Sequence, residues 1–150
     1  MAIKESREVV IEASPEEILD VIADFESMTQ WSPQTQNAEV VERGDDGRPS
    51  VVKMKVKSVG VTDEQVVAYT WGENTVSWTL VSSTQQRSQD GSYTLTPEGA
   101  DGKTTRVQFG ITIDPLVPLP GFLLKRASKG AIEVATDGLR NRVLKVKKGQ

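Results

Sequence analysis

The chain contains no cysteine and no histidine. Without cysteine it can form no disulfide, no thiolate nucleophile and no zinc site built on cysteine. Without histidine it lacks the commonest general base and metal ligand, and it cannot form a Ser-His or Cys-His relay. Any chemistry must therefore use carboxylates, tyrosines, lysines, arginines or water, and we expect neither a metal nor another cofactor.

The chain also lacks an excess of positive charge and any long apolar run. Its formal net charge is −3, which gives no electrostatic indication of nucleic-acid binding. The first residues, MAIKESREVVIEA, lack the apolar core of a secretory signal, and no run approaches the roughly eighteen apolar residues of a membrane span. We therefore expect a soluble cytoplasmic protein that neither binds nucleic acid nor inserts stably into a membrane. The length of 150 residues suits one domain, which we place over residues 1–150.

An early helical segment, ASPEEILDVIADFESMTQWSP, follows a first strand that is predicted over residues 3–12. Ser14 precedes Pro15, and Glu17 stands three residues after Ser14, which is the pattern of a capping box with proline at the first helical position. A second short helix ends where Pro33 stops it. The apolar side chains after the cap have helical spacing: Ile18, Leu19, Ile22 and Phe25.

After this segment the apolar residues change from helical to alternating spacing. In VVKMKVKSV, Val52, Met54 and Val56 alternate with lysines, as in a strand with one buried face. Four further runs are strand-like, EQVVAYTW, NTVSWTLVSS, GSYTLTPE and TTRVQFGITID, and turn signals such as Asp90-Gly91 separate several of them. The pattern predicts an antiparallel meander of about six strands.

A long helix is predicted at the C-terminal end of the chain. The run DPLVPLP interrupts the sheet with prolines, whereas residues 121–148 contain no proline and have apolar residues at helical spacing. At 1.5 Å per residue this helix is roughly 40 Å long, enough to cross a whole domain. We therefore expect it to cover the sheet.

This order of elements resembles the START-like superfamily, also called SRPBCC or Bet v 1-like, and most closely its polyketide cyclase/dehydrase and lipid-transport branch. The matching motifs are A-S-P-E-E-I at the start of the first helix, I-A-D-F-E at its end, and Trp31-Ser32-Pro33 before the second strand. The resemblance covers essentially the whole chain. These motifs specify a fold better than an activity.

The resemblance implies an α+β helix-grip fold. In that fold a curved antiparallel sheet of about seven strands wraps around the long C-terminal helix and leaves a cavity between them. The two short helices after the first strand would close one end of the cavity, with Trp31 as an apolar plug. Members of the superfamily bind lipids, sterols, polyketides or other apolar molecules, and only some of them catalyse reactions, so the fold alone does not name the function.

The C-terminal helix offers an independent clue about such a cavity. Wrapped at about 100° per residue, its inward face carries Ala127, Ala131, Ala135 and Gly138. Because these side chains are small, the space beside them is filled either by close packing of the sheet or by a ligand. Arg142 falls on the same face one turn later. It either meets a ligand carboxylate or phosphate in bidentate geometry or extends past the sheet edge into water.

Large side chains on the strands provide the candidate inner surface of the sheet. Tyr69 and Tyr93 are the predicted polar groups within it, because a buried phenol needs a hydrogen-bond partner. That partner is either a ligand or a backbone carbonyl. The other candidates on the strands are Met54, Val56, Trp71, Val76, Trp78, Leu80, Leu95, Phe109 and Ile111.

The connection PLVPLPGFLL before the long helix is unusually apolar. Leu116, Val117, Leu119 and Phe122 either frame a portal for an apolar ligand, touch a membrane surface transiently, or pack beneath the rim of the sheet.

We predict a protein that binds or carries a small hydrophobic ligand, such as a lipid, fatty acid or polyketide-like molecule, in an internal cavity. One alternative is a polyketide cyclase or dehydratase that uses Tyr69, Tyr93 or an inward carboxylate for acid–base chemistry. Another is a protein-interaction module with a filled core. The residues predicted to bind the ligand are Trp31, Met54, Val56, Tyr69, Trp71, Trp78, Tyr93, Phe109, Phe122, Ala127, Ala131, Ala135 and Arg142.

Overall fold

A seven-stranded antiparallel sheet, in the order β1-β7-β6-β5-β4-β3-β2, accounts for most of the structure. The structure is a computed structural model, and it describes residues 2–149. Strands β2 to β7 form a meander of consecutive hairpins, and β1 pairs with β7. The predicted first strand and six-stranded meander are therefore confirmed. The strands are β1 (Ile3–Ile11), β2 (Thr35–Arg43), β3 (Pro49–Ser58), β4 (Val61–Trp71), β5 (Thr75–Ser83), β6 (Gln86–Glu98) and β7 (Thr104–Pro115).

Two short helical elements lie between β1 and β2, as the sequence predicts. Helix α1 (Pro15–Ala23) is followed by a 3₁₀ helix over Phe25–Gln30. The capping box is present, since Ser14 Oγ accepts from the backbone N–H of Glu17 and the Glu17 carboxylate accepts from the backbone N–H of Ser14. These bonds satisfy N–H groups that have no partner within the helix.

The C-terminal helix is divided by one π-helical turn. Helix α2 (Gly121–Glu133) runs into a π turn (Val134–Gly138), which continues as helix α3 (Leu139–Lys147). The predicted long C-terminal helix is confirmed, and its centre is a π turn within the otherwise α-helical segment. A π turn has i→i+5 hydrogen bonds, so it rotates the residues after it away from the face that a constant helical period predicts.

The strand directions place the connections at two opposite ends of the sheet. The turns β3–β4 and β5–β6 and the connection from β7 to α2 share one end, which we call the open end. The turns β2–β3, β4–β5 and β6–β7 share the other end, which we call the closed end. Helix α1 lies at the closed end, where Arg48 of the β2–β3 turn forms a 3.0 Å ion pair with Asp20.

The apolar core is concentrated toward the closed end. Leu139 and Val143 of α3 are fully buried in one cluster with the apolar face of α1. In contrast, no side chain of α2, all of which the structure describes, is fully buried. Helix α3 therefore packs as core, whereas α2 stands off from the sheet. This is the α+β helix-grip arrangement that the sequence resemblance implies.

No helix within residues 2–149 is long and apolar enough to cross a membrane.

Candidate functional site

A cavity of about 510 Å³ lies between the concave face of the sheet and helix α2. It extends to the open end, where Val59 of the β3–β4 turn and Val117 of the β7–α2 connection both line it. Val117 is also 63% exposed, so the cavity communicates with solvent beside this residue. The volume falls within the range of roughly 300–1,000 Å³ that is typical of small-molecule sites.

Helix α2 and the π turn contribute small side chains to the cavity wall. Ala127, Ala131 and Ala135 line it, as the helical period predicts, and Leu124 lines it nearer the open end. Because an alanine extends only one carbon from the backbone, the helix leaves space between itself and the sheet. The sequence leaves open whether this face of the helix packs closely against the sheet or lines a cavity. In the structure it lines a cavity.

An aromatic wall covers the part of the sheet that faces the cavity toward the closed end. Phe25 and Tyr69 have ring centroids 4.8 Å apart, and Tyr69 lies 5.8 Å from Trp78. Trp78 continues the wall to Tyr93 at 5.7 Å and to Phe109 at 6.1 Å. These tilted and offset arrangements are favourable for aromatic pairs. They hold the rings in fixed positions around the inner part of the cavity.

The two tyrosines of this wall use their hydroxyl groups differently. The Tyr93 hydroxyl donates a 2.8 Å hydrogen bond to the backbone carbonyl of Ala135 in the π turn. Its partner is therefore a backbone carbonyl, one of the two partners that the sequence leaves open. The Tyr69 hydroxyl has no hydrogen-bond partner within residues 2–149. Tyr69 is thus the tyrosine that is free to bond a ligand.

Burial raises the pKa of both tyrosines well above the ordinary value of 10.0. The cause is desolvation, which disfavours the phenolate, and for Tyr93 the proximity of Tyr69 adds to it. Both phenols therefore stay protonated near neutral pH. They can donate hydrogen bonds, but they are poor general bases.

The open end of the cavity carries polar side chains that are not among the residues predicted to bind the ligand. Asp63 of β4 is 6% exposed, and it accepts hydrogen bonds from the β5–β6 turn, including those from Ser83 Oγ and the backbone N–H of Gln85. It also accepts a 2.7 Å bond from Gln86 Nε2. Gln65 is 7% exposed. The polar residues that line this end include Glu5, Asp63, Gln65, Gln85, Gln86 and Gln89.

A signal for two of these residues is present in the sequence. In β4, Asp63, Gln65, Val67 and Tyr69 occupy successive alternate positions, so all four face inward. Hydrophobic patterning identifies only apolar and aromatic side chains as inward-facing, so it does not predict these two polar residues. The glutamines of β6 have no comparable signal, because that strand begins with an uninterrupted polar run.

Most of the residues predicted to bind the ligand line the cavity. Trp31 lies at its wall next to Gly138, and its indole N–H is buried without a hydrogen-bond partner in the described part of the chain. The predicted residues that line the cavity are Trp31, Met54, Val56, Tyr69, Trp78, Tyr93, Phe109, Ala127, Ala131 and Ala135.

The other residues predicted to bind the ligand do not line the cavity: Trp71, Phe122 and Arg142. Trp71 faces inward but sits at the closed end, where its indole N–H donates to the Pro49 carbonyl. Phe122 is 72% exposed on the outer side of α2. Arg142 follows the π turn and borders a separate surface pocket near α1. The change of helical register at that turn explains why a constant period misplaces Arg142.

The connection before α2 borders the cavity and is also exposed. Val117 and Leu119 line the cavity, while Leu116 is exposed. Val117 does not pack beneath the rim of the sheet, because most of its surface is accessible to solvent. Within residues 2–149, no group of three or more acidic side chains is placed to hold a metal ion.

Comparison with known proteins places the chain in a family. The family model described as polyketide cyclase / dehydrase and lipid transport matches residues 2–144. No curated protein matches the chain significantly in sequence. The resemblance to the START-like superfamily that the sequence motifs carry is confirmed.

Several solved structures share the fold over nearly the whole chain. A START superfamily protein from Mycobacterium smegmatis is 26% identical with a TM-score of 0.84, covering 95% of this chain and 98% of that chain. A protein from Thermus thermophilus is 21% identical with a TM-score of 0.78, covering 96% and 99%. The Zhui aromatase/cyclase from a Streptomyces species is 11% identical with a TM-score of 0.77, covering 95% and 94%. At such low identity, the last two show a common fold only.

Proposed function

Since the chain belongs to the polyketide cyclase / dehydrase and lipid transport family, we propose that it binds a small, largely apolar molecule in the cavity beneath α2. The observation that carries this proposal is the contrast between the two parts of the C-terminal helix. Helix α3 buries Leu139 and Val143, whereas α2 faces the sheet across a cavity of about 510 Å³. Protein interiors are normally close-packed, so a cavity of this size lined by aromatic and aliphatic groups suits a ligand.

The ligand would lie with its apolar part against the aromatic wall. Tyr69, Trp78 and Phe109 provide flat apolar surfaces there, and burial of apolar area gives roughly 25 cal/mol per Å². The Tyr69 hydroxyl is available as a donor to a ligand oxygen.

The cyclase or dehydratase alternative has less support from the geometry. It would need a tyrosine or carboxylate to move protons, but the Tyr93 hydroxyl is bonded to Ala135 and burial keeps both tyrosines protonated. The Asp63 carboxylate already accepts several hydrogen bonds from the β5–β6 turn. We therefore propose binding or transport, and not turnover, as the activity.

The test fills the cavity from the helix side. Ala131→Trp places an indole between α2 and the sheet, whereas Lys129→Trp places the same side chain on the exposed side of α2. We expect the Ala131 variant to bind the uncharged dye Nile red at least about tenfold more weakly, and the Lys129 variant to bind it as the unmodified protein does. Circular dichroism and thermal melting check that both variants fold.

Equal binding by the Ala131 variant would contradict the proposal, because the dye would then bind elsewhere. Failure of the unmodified protein to bind Nile red would favour a protein-interaction module instead. Native mass spectrometry of the protein purified from its own host, followed by organic extraction, would identify the natural ligand.

A further inference from the structure

The charged side chains that line the cavity are all of one sign. Glu5 and Asp63 line its open end, and among the described lining residues there is no lysine and no arginine. Neither carboxylate forms an ion pair with a basic side chain within residues 2–149. A ligand at this end therefore meets negative charge without a compensating cation.

The same end contains hydrogen-bonding groups that lack protein partners. Gln65 is more than nine-tenths buried and lines the cavity, yet its side-chain amide makes no hydrogen bond to any described residue. The Oε1 atoms of Gln86 and Gln89 are also buried without a donor. Unpaired buried polar groups are costly, since each loses its hydrogen bonds to water. The Gln86 and Gln89 oxygens have almost no accessible surface, whereas the Gln65 amide lines the cavity. The Gln65 amide therefore suits a ligand group that both donates and accepts.

Asp63 holds this polar end in place. Its carboxylate accepts from Gln86 Nε2, which fixes the Gln86 amide with its oxygen away from Asp63. Its bonds to Ser83 and to the backbone of Gln85 tie the β5–β6 turn to β4. The wall of the open end is thus ordered before a ligand arrives, which lowers the cost of binding.

From these observations we infer that the ligand carries an uncharged hydroxyl or amide head group at the open end of the cavity, and that a carboxylate or phosphate head group is disfavoured there. The inference rests on the proposed function and specifies its ligand class. A hydroxyl or amide donates to Oε1 of Gln65 and accepts from Nε2 of the same side chain. A carboxylate has no proton to donate, and it would also be repelled by Glu5 and Asp63.

The test compares two ligands that share one apolar chain. Dodecanol and dodecanoate are each titrated against the full chain at neutral pH, and displacement of Nile red is measured. We expect dodecanol to bind about tenfold more tightly or better, which corresponds to one pKa unit of like-charge repulsion. Equal or tighter binding of dodecanoate would overturn the inference and leave the proposed function standing.

Two variants assign the preference to the open end. Glu5→Gln removes one of the lining charges and should narrow the ratio of dodecanol to dodecanoate affinity about threefold or more. Its control is Glu64→Gln, which removes an exposed charge from β4. Gln65→Leu keeps the size of the side chain but removes its amide, and should weaken dodecanol binding about fivefold with Nile red affinity retained.

If the ratio does not change in the Glu5 variant, or changes equally in the Glu64 variant, the charge part of the inference is wrong. If dodecanol binds the Gln65 variant as tightly as the unmodified protein, the head group does not lie at the open end. If neither ligand nor Nile red binds the unmodified protein, the proposed function fails and the inference fails with it.

Discussion

The indole ring of Trp78 lies directly against the backbone of Gly91, its cross-strand partner on β6. A Cβ atom added at Gly91 would overlap the atoms of this ring. Glycine at this position therefore lets Trp78 lie flat on the sheet, where it contacts Tyr93 and Phe109. An aromatic ring that covers a strand glycine is a known device for stabilising such a pair.

Replacing Gly91 by alanine is expected to displace the Trp78 ring. The overlap must be relieved by moving the ring or the strand, which costs about 1–3 kcal/mol of the free energy of unfolding. Denaturant unfolding monitored by tryptophan fluorescence measures this cost. Gly110→Ala is the matched control, since Gly110 also lies in a strand but a Cβ there meets no atom within 4 Å. Equal stability of the two variants would contradict this account of Trp78.

Replacing each tyrosine of the aromatic wall by phenylalanine should give two different results, because only Tyr93 has a hydrogen-bond partner in the described part of the chain. Tyr93→Phe removes the donor to the Ala135 carbonyl and leaves that carbonyl unsatisfied, so we expect a loss of about 1–3 kcal/mol in the free energy of unfolding. Tyr69→Phe removes a hydroxyl without a protein partner and should change stability by less than about 0.5 kcal/mol. Thermal and urea unfolding of both variants test the difference. A larger loss in the Tyr69 variant would contradict the assignment of the hydrogen bond.

Stability should fall at alkaline pH because both tyrosines are buried. Their pKa values in the folded protein are raised above 10.0, so the folded state retains protons that the unfolded chain loses above that pH. Their contribution is therefore fully present below pH 10.0 and is lost as the pH rises past it. Tyrosinate absorbance should stay low above pH 10.0 until the protein unfolds. A normal tyrosinate titration in protein that remains folded would show that the phenols are accessible.

The absence of cysteine allows the mouth of the cavity to be labelled at a single site. Val117→Cys and Val81→Cys replace valines that are 63% and 62% exposed, but only Val117 lines the cavity. A polarity-sensitive fluorophore at position 117 should respond to saturating Nile red or dodecanol, because the ligand changes its surroundings. The same label at position 81 should not respond. Identical responses at both positions would mean that the ligand does not approach through this opening.

Much of the fold could be predicted because several sequence signals agree. The capping box at Ser14 and Glu17 and the alternation of Val52, Met54 and Val56 each specify a local structure that the fold preserves. Consistency between local preference and overall fold is a property of sequences that fold well. Alternation predicts which face of the sheet a residue lies on, but it does not predict how far along the strand the cavity extends. Trp71 has the inward face that alternation predicts, yet it lies beyond the cavity, beside Pro49.

The π turn and the polar end could not be predicted from the same signals. A π turn changes the rotation of the helix without a characteristic composition, so the residues around Gly138 gave no indication that Arg142 faces elsewhere. At the polar end, hydrophobic patterning describes the apolar faces and says little about buried polar groups. Gln65 and Gln86 are placed by cross-strand register and by the bonds of Asp63, which are long-range properties of the fold.

The π turn also affects how this protein can evolve. It separates the residues of α2, which set the size and shape of the cavity, from those of α3, which pack against α1. A substitution at Ala127 or Ala131 therefore changes the space offered to a ligand without altering the buried contacts of Leu139. We expect descendants of such a chain to acquire new ligand preferences through α2 while inheriting an unchanged closed end.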